Sequence, residues 1–399
     1  MIVVIHLFSI SAALLTCVMA TFLLLEVVAS LWPVRTKKFK RATPGQIAVV
    51  IPAHNEEKII ASTLKNIKGQ LRDGDRMIVV ADNCTDQTAN IATDLGAECL
   101  IRNDHAHRGK GYALQFAIEA LRRQPPDIVM FIDADCLFAD GALILTASIA
   151  VGEKRPAQAL YMMRAPKGAA ARQRVAEFAW LFINQVRMRG LQNLFDVTRF
   201  TGAGLAAPWE ALSVINMASG QIVEDLAMTF ELASRGNPPL LLVDALITSE
   251  FPQHDDAQMK QSARWSIGSL TYAFRSGAAW LIHGLFKGRL QLVGAAIDLM
   301  IPPLTIFALL VLAVAALSVF SWLFGSAIAI MIAGLAAIQL IAAITLGWVC
   351  YGRSALPPAE LAAVAQFLGS KFLVFGAKGR ATAKTWTPTR GGEHDDHAE

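Results

Sequence analysis

The sequence predicts an α/β domain with a mainly parallel sheet, placed between membrane-spanning helices at the two ends of the chain. Hydrophobic residues make up 54% of the 399 residues and charged residues only 17%, an apolar excess too large for a soluble enzyme unless part of it faces lipid. Long apolar runs lie at 2–31 and 292–350. Between them, short apolar runs alternate with amphipathic stretches, which is typical of β-α-β units.

The N-terminal segment, residues 1–31, is predicted to be a transmembrane anchor. It is nearly all apolar, with Glu26 as its one acid, and at about 1.5 Å per helical residue it is long enough for a hydrocarbon core of roughly 30 Å. A signal peptide carries its positive charges before the apolar run. Here five basic residues follow it: Arg35, Lys37, Lys38, Lys40 and Arg41. Basic residues mark the cytoplasmic end of a span, so we expect an uncleaved anchor and a cytoplasmic middle domain.

Residues 44–265 form the predicted α/β domain. Continuous apolar runs predict strands at 47–51, 77–81, 98–101 and 127–132. Apolar residues at helical spacing predict helices at 56–67, 85–95, 111–122 and 224–235. Ligands of such sheets bind beyond the carboxyl ends of the strands, so the residues that follow each strand are the first candidates for a site.

The C-terminal part is predicted to return to the membrane. Residues 266–290 suit an amphipathic helix at the interface, and 292–352 is long enough for two transmembrane helices joined at Phe324-Gly325-Ser326. Residues 353–399 are expected to form an interfacial segment and a basic, disordered cytosolic tail. The net charge of +4 comes largely from basic clusters beside the spans, which favours membrane lipid, and no nucleic acid, as a partner. We therefore expect a multi-pass protein of the cell (inner) membrane.

Polar residues follow three of the predicted strands. Pro52, Asn55 and Glu56 come after the first, Asp82 after the second, and Asp133 with Asp135 after the fourth. Two carboxylates one residue apart suit a hard cation such as Mg²⁺ or Mn²⁺. A solvated loop is the alternative, but the position directly after a buried strand favours a metal-bound nucleotide at this edge.

Other polar residues allow both a functional and a structural interpretation. Asp82 suits a hydrogen bond to a base or ribose, although Asp is also common in turns and helix caps. Lys110 lies in a Gly-rich basic turn that suits an anion but also occurs on inert surfaces. Asp225 follows Glu224 at a helix start; the helix dipole favours both acids there, while a general base is the functional alternative.

Two further segments suit substrate binding. Gly202, in Phe200-Thr201-Gly202-Ala203-Gly204, allows a backbone to approach a sugar closely. Gln261 and Trp265 share one face of a predicted helix, with Arg264 beside them. Arg binds phosphate through its planar fork and Trp offers a flat apolar surface, although an amphipathic helix lying on the membrane favours the same residues.

Taken together, these residues resemble the membrane-bound family-2 glycosyltransferases, the group that includes cellulose, chitin and hyaluronan synthases. The resemblance covers roughly residues 47–265. It rests on six segments in the family's order: Pro52-Ala53-His54-Asn55-Glu56, Asp82, Asp133-Ala134-Asp135, Phe200-Thr201-Gly202-Ala203-Gly204, Glu224-Asp225 and Gln261-x-x-Arg264-Trp265. Each segment alone is only moderately specific, whereas their shared order is a strong signal.

The resemblance implies a GT-A fold, an inverting single displacement and a UDP-sugar donor. It implies that the donor is bound by Pro52, Asn55, Glu56, Asp82, Lys110, Asp133 and Asp135. It further implies that Asp133 and Asp135 hold the metal and that Asp225 is the base. The acceptor and the diphosphate would contact Gly202, Glu224, Gln261, Arg264 and Trp265. Two features depart from the family: Val223 stands where Thr is frequent, and three predicted spans are fewer than polymer-secreting members have.

The predicted function is therefore transfer of a sugar to a growing polysaccharide in exopolysaccharide or cell-surface glycan synthesis. Further subunits for polysaccharide assembly or export are expected partners. The small number of spans instead favours addition of one sugar to a lipid-linked acceptor. A transporter or channel subunit would carry ionisable residues inside its spans, and only Glu26 and Asp298 offer themselves, both near ends. A catalytically silent scaffold is the remaining alternative.

Overall fold

The computed structural model describes residues 2–34, 38–218, 223–252 and 255–364. Within these residues one eight-stranded sheet has the order β3-β2-β1-β4-β7-β6-β8-β5. Its strands are β1 (Ile47–Ala53), β2 (Arg76–Asp82), β3 (Glu98–Arg102), β4 (Ile128–Phe131), β5 (Leu137–Phe138), β6 (Ala157–Arg164), β7 (Leu205–Pro208) and β8 (Leu240–Glu250). Strands β3, β2, β1 and β4 are parallel, as are β6 and β8. Strands β7 and β5 pair antiparallel with their neighbours, so the predicted mainly parallel α/β sheet is confirmed.

The apolar run of β1 is uninterrupted because the strand is buried on both faces. Ile47, Val49 and Ile51 pack in one core against α2 (Ile60–Lys68). Ala48 and Val50 point to the opposite core, against α4 (Lys110–Leu121). Full burial of a side chain as large as Val or Ile contributes about 1.5–3 kcal/mol. The central strands are therefore held rigidly at the edge where the polar residues follow.

Two early helices begin later than the sequence predicts. Helix α2 starts at Ile60 rather than 56, after a turn in which the carbonyl of Glu56 accepts hydrogen bonds from the amides of Ile59 and Ile60. Helix α3 (Thr88–Asp94) follows a loop in which Asp86 Oδ1 accepts a hydrogen bond from the amide of Thr88 at 3.0 Å. A polar side chain that bonds nearby backbone competes with helix formation, which delays the start of α3.

The remaining helices up to residue 300 follow in chain order. They are α5 (Ala142–Glu153), α6 (Ala171–Leu181), α7 (Met188–Phe195), α8 (Trp209–Leu212), α9 (Glu224–Ser234), α10 (Asp255–Tyr272), α11 (Ala278–Phe286) and α12 (Leu290–Met300). A π-helical segment, Phe182–Arg187, joins α6 to α7, and another, Ala273–Gly277, joins α10 to α11. Helix α9 agrees with the predicted 224–235 within one residue.

Three described helices are long and apolar enough to cross a membrane: α1 (Ile2–Ser30), α13 (Leu304–Leu323) and α14 (Ile328–Gly347), which continues to Gly352. The sequence placed the second span from residue 292, but Pro302 and Pro303 separate α12 from α13 because proline ends a helix. The predicted interfacial segment 266–290 includes α11, around which Phe274 and Phe286 are 86% and 87% exposed. Arg35, Lys37 and the tail beyond residue 364 lie outside the described residues.

Candidate functional site

A cavity of about 1040 Å³ lies beyond the carboxyl ends of β1, β2 and β4. All of the predicted site residues except Asn55 line it: Pro52, Glu56, Asp82, Lys110, Asp133, Asp135, Gly202, Glu224, Asp225, Gln261, Arg264 and Trp265. The parallel strands bring the first group together because their carboxyl ends share one edge. Residues that follow β6 in the chain supply Gly202, Glu224, Asp225, Gln261, Arg264 and Trp265.

Asn55 does not line the cavity but holds the loop after β1 in place. Its Oδ1 accepts a hydrogen bond from the amide of Thr85 at 2.8 Å, and its Nδ2 donates to Thr85 Oγ1 at 3.2 Å. Its backbone is left-handed, with a φ of 54°, a conformation that Asn tolerates better than most residues. Asn55 thus joins the loop after β1 to the loop after β2 and sets the position of Pro52 and Glu56.

Asp133 and Asp135 form the candidate metal centre. One ligand atom from each, together with Cys136 Sγ, lie within 4.8 Å of one another. Carboxylate oxygens suit Mg²⁺ or Mn²⁺. Burial raises the pKa of the Cys136 thiol well above its ordinary value, and the charges of Asp135 and Asp133 raise it further. Since a thiolate is the form that binds metal, the two carboxylates are the fitting ligands.

Lys110 connects the candidate metal centre to two other segments. From the start of α4 its Nζ forms an ion pair with Asp133 and donates a hydrogen bond to the carbonyl of Gly202 at 2.8 Å. Burial alone would lower the pKa of Lys110, but the carboxylates of Asp133, Glu224 and Asp225 raise it above its ordinary value. The ammonium is therefore charged within a cluster of acids.

Gly202 needs the conformational freedom of glycine. Its φ is 89°, in the left-handed region that other residues adopt at a cost. A Cβ there would lie 3.7 Å from Asp133 Oδ2 and 3.8 Å from Lys110 Nζ, so space permits a methyl group but the backbone disfavours it. The turn brings the Gly202 carbonyl to the Lys110 ammonium.

Asp82 is held by Arg102, which the sequence interpretation missed. Arg102 donates to Asp82 Oδ1 at 2.6 Å, and both side chains are only 8% exposed. Burial raises the pKa of Asp82, while Arg102 opposes the rise. The two residues are direct partners in the β2–β3 register. Arg102 lies one residue beyond the predicted strand 98–101. Extending that strand by one residue and pairing it with β2 would have placed Arg102 opposite Asp82.

Glu224 and Asp225 begin α9 and face Lys110 across the cavity. Burial raises the pKa of Glu224 to about 7, although Lys110 lowers it, and the charge of Asp225 adds to the rise. Burial also raises the pKa of Asp225, against the charges of Lys110 and Arg199. A carboxylate with a raised pKa is a stronger base, which suits proton abstraction by Asp225.

The cavity wall also contains residues that the sequence did not single out. One face of α6 and the π segment after it contributes Arg172, Ala176, Ala179, Trp180, Ile183 and Asn184. These residues recur at helical spacing, which identifies them as cavity residues only once the position of α6 is known. The rings of Trp180 and Trp265 are 5.2 Å apart. Arg199 and the start of α13, Pro303 to Thr305, complete this wall.

The face of α10 in the cavity carries polar atoms without partners. Gln258 is 7% exposed, and neither its Nε2 nor Gln261 Oε1 has a hydrogen-bond partner among the described residues. Leaving a buried polar group unpaired costs about 1–3 kcal/mol. Burial lowers the pKa of Arg264, while Glu224 opposes this. This face therefore suits a polar ligand.

Comparison with known proteins agrees with the site. The family model described as Glycosyltransferase like family 2 matches residues 44–268, more than half of the chain. The 4,4'-diaponeurosporenoate glycosyltransferase of Staphylococcus haemolyticus is 35% identical over 103 residues, 25% of this chain and 26% of that protein. The low-salt glycan biosynthesis hexosyltransferase Agl6 of Haloferax volcanii is 38% identical over 96 residues, 23% of this chain and 21% of that protein. The chain thus matches only about a quarter of the length of these two relatives.

A solved structure shows the same fold over most of the chain. The mannosyltransferase PcManGT of Pyrobaculum calidifontis, in complex with GDP-Man and Mn²⁺, covers 86% of this chain and 99% of its own, with a TM-score of 0.52 and 17% identity. At this identity the likeness concerns the fold, and with the sheet described above it confirms the expected GT-A-like architecture. The family match over residues 44–268 identifies the chain as a glycosyltransferase, a member of the glycosyltransferase-like family 2.

Proposed function

We propose that this chain is a membrane-bound, inverting glycosyltransferase that passes a sugar from a nucleotide sugar, a UDP-sugar, to a glycan growing at the membrane. The observation that carries the proposal is the convergence of Asp82, Asp133, Asp135 and Asp225 with Arg264 on one cavity. The names of the relatives, a glycosyltransferase and a glycan hexosyltransferase, support transfer in exopolysaccharide or cell-surface glycan synthesis. The resemblance to the cellulose, chitin and hyaluronan synthases supports the same product class.

The donor occupies the sheet end of the cavity. Asp82 bonds the nucleotide, and Lys110 and Arg264 balance the charge of the diphosphate. Asp133 and Asp135 would hold Mg²⁺ or Mn²⁺, which supplies positive charge to the leaving diphosphate. Because Lys110 already pairs with Asp133, this lysine shares the carboxylates with a cation and orders the Gly202 turn against the donor sugar.

Asp225 serves as the base on the acceptor side. In a single displacement the acceptor hydroxyl attacks the anomeric carbon from the face opposite the diphosphate. The bond from carbon to acceptor oxygen forms, the bond to the diphosphate oxygen breaks, and the hydroxyl proton goes to Asp225. Burial of Asp225 raises its pKa and thereby strengthens it as a base, while the charges of Lys110 and Arg199 keep its carboxylate form available.

A growing glycan fits the aromatic wall. Trp180 and Trp265 lie 5.2 Å apart in the cavity, and indole rings offer the flat apolar surface on which a sugar packs. The second candidate is addition of a single sugar to a lipid-linked acceptor. The cavity favours it by reaching Pro303, Leu304 and Thr305, where the candidate span α13 begins, so an acceptor anchored in the bilayer meets the site there.

The test is transfer by the full chain in lipid nanodiscs, with radiolabelled UDP-sugars, Mg²⁺ or Mn²⁺, and membrane lipid extract as the acceptor source. We expect product from at least one donor, and no product from D133N. Glu231→Gln, on the same helix as Asp225 but paired at the surface with Arg235, is the control that keeps activity. A ladder of products supports polymerisation and one shifted product supports single addition. Failure of every UDP-sugar, or full activity in D133N, contradicts the proposal.

A further inference from the structure

Four charged side chains form a buried cluster between the membrane helices and the cavity. Arg187 Nε lies 3.1 Å from Glu26 Oε2 of α1, and another Arg187 nitrogen lies 2.5 Å from Asp298 Oδ1 of α12. Arg199 Nε lies 2.8 Å from Asp298 Oδ2. The side chains of both acids are 0% exposed, that of Arg187 4% and that of Arg199 12%. The cluster pairs two acids with two arginines, and burial of such groups is unfavourable unless they are paired.

Arg199 is the member of this cluster that reaches the cavity. Asp298 Oδ2, although close to Arg199 Nε, accepts no hydrogen bond from any residue in the described part of the chain. Asp298 therefore attracts the guanidinium without hydrogen-bond geometry. The contact fixes where the charge of Arg199 sits and leaves its planar fork suited to a further anion.

The charge of Arg199 lies on the side of the base. The amide of Phe200, the residue next to Arg199, donates to Thr229 Oγ1 at 2.9 Å, and that hydroxyl donates to the carbonyl of Asp225 at 2.8 Å. Arg199 and Asp225 line the same cavity. Lys110 pairs with Asp133 of the metal centre, whereas Arg199 pairs with Asp298. In an inverting transfer the base and the acceptor share a side, opposite the leaving diphosphate. A guanidinium beside Asp225 thus faces the acceptor.

The wall next to Arg199 leads to the bilayer. Asp298, which pairs with Arg199, lies in the last turn of α12, and Pro303 follows it at the start of α13. Pro303, Leu304 and Thr305 line the same cavity. Since α13 is a candidate span, this wall lies at the level of lipid head groups.

We propose that Arg199 binds a phosphate group carried by the acceptor, and that Asp298 is the positioning residue that holds Arg199 there. This inference rests on the proposed function, because it takes Asp225 to mark the acceptor side. Arg pairs with phosphate through charge-assisted bidentate hydrogen bonds. The phosphate belongs either to a membrane lipid that carries the acceptor or to a soluble sugar phosphate, and binding experiments separate the two sources.

The experiment measures equilibrium binding to the full chain in nanodiscs, without turnover. The probes are farnesyl phosphate, farnesol and glucose 1-phosphate. We expect farnesyl phosphate to bind at least tenfold more tightly than farnesol, since a hydrogen bond to a charged group contributes about 1.5–3 kcal/mol. Preference for farnesyl phosphate assigns the phosphate to a lipid, and equal binding of glucose 1-phosphate assigns it to a soluble acceptor. Failure of wild type to bind either phosphate overturns the inference.

Variants connect the binding to the named residues. R199Q is expected to weaken farnesyl phosphate binding roughly 10- to 100-fold with unchanged UDP-sugar binding, R199K to restore part of the affinity, and D298N to raise the KM for the acceptor more than it lowers kcat. The matched control R155Q removes another Arg–Asp pair, with Asp196, at 2.7 Å and outside the cavity. Equal losses for farnesyl phosphate and UDP-sugar in R199Q, or none, overturn the inference.

These results separate the two proposals. If R199Q does not fold, the comparison of farnesyl phosphate with farnesol on wild type still decides whether the cavity recognises a phosphate. Binding is read without catalysis, so loss of this inference leaves transfer and its Asp225 dependence intact. Conversely, absence of transfer from every donor contradicts the proposed function whatever the phosphate probes do.

Discussion

Replacing Glu224 with glutamine is expected to stabilise the unliganded protein at neutral and alkaline pH. Burial raises the pKa of Glu224 from 4.5 to about 7, even though Lys110 opposes the rise. The folded protein therefore keeps this proton over a pH range in which the unfolded chain has lost it. Where the folded state binds more protons, the free energy of unfolding falls as pH increases. Stability from this group is present below pH 4.5 and is lost as pH rises through 7.

The size of the effect follows from the shift. The difference between about 7 and 4.5 is about 2.5 pKa units, which at about 1.4 kcal/mol per unit corresponds to roughly 3 kcal/mol. This value already includes the attraction of Lys110. Glutamine keeps the shape of the side chain and has no proton to lose. The stability of E224Q relative to wild type should therefore increase by roughly 3 kcal/mol between pH 4.5 and pH 8.

Thermal unfolding of the full chain in detergent, without nucleotide sugar or divalent metal, measures this difference. Curves of E224Q and wild type should separate by several degrees as pH rises from 5 to 8, since 1 kcal/mol moves the Tm of a domain of this size by about 2–4 °C. E231Q also removes an acid from α9, but from an ion pair with Arg235 at the surface, and should follow wild type. Parallel pH curves for E224Q and wild type would refute the buried carboxyl as the cause.

Three further substitutions test the cavity. D225N should lower kcat about 10²- to 10⁴-fold, the usual contribution of a general base, while equilibrium UDP-sugar binding stays unchanged; undiminished kcat excludes Asp225 as the base. D135N should raise the Mg²⁺ or Mn²⁺ concentration for half-maximal transfer about tenfold or more, and an unchanged metal titration removes Asp135 from the metal centre. G202A should cost about 1–2 kcal/mol because of its left-handed φ, and G74A, with a φ of 88° and open space around the added methyl, is matched in strain. If G202A loses activity and G74A keeps it, the turn at Gly202 is required for activity. Equal activities of the two variants contradict that role.

The group of acids at this edge of the sheet could be predicted from the sequence because each strand there is a short apolar run with an acid at or just after its end. Asp82 ends β2, and Asp133 follows β4, so their neighbourhood follows from parallel pairing once the β-α-β pattern is recognised. Asp225 is different. It lies after β7, far along the chain, and only the order of the family's segments placed it with Asp133.

Contacts that depend on tertiary packing could not be predicted from the sequence. The apolar run from residue 292 to 300 was interpreted as the start of a span because protein interior and lipid select the same side chains. The structure makes it the separate helix α12, with Asp298 buried against Arg187 and Arg199. Nothing local in the sequence pairs Arg199 with Asp298. Trp180 was missed for the same reason, since its contact with Trp265 joins two helices whose relative position depends on the fold.

The position of Glu26 explains why an acid stands in the first apolar helix. A transport path would place ionisable residues along water-filled space between spans. Glu26 and Asp298 instead both contact Arg187 inside the protein, so they give no support to a transporter. Removing one partner of a buried ion pair costs about 3–5 kcal/mol. Arg187 forms such pairs with an acid of α1 and with an acid of α12. Helix α1 contributes no described residue to the cavity wall, yet Glu26 contacts Arg187, which also pairs with Asp298, and Asp298 pairs with Arg199 in that wall. Helix α1 is thereby joined through Arg187 and Asp298 to Arg199 in the cavity wall, so it is part of the packed structure rather than a tether for an independent domain.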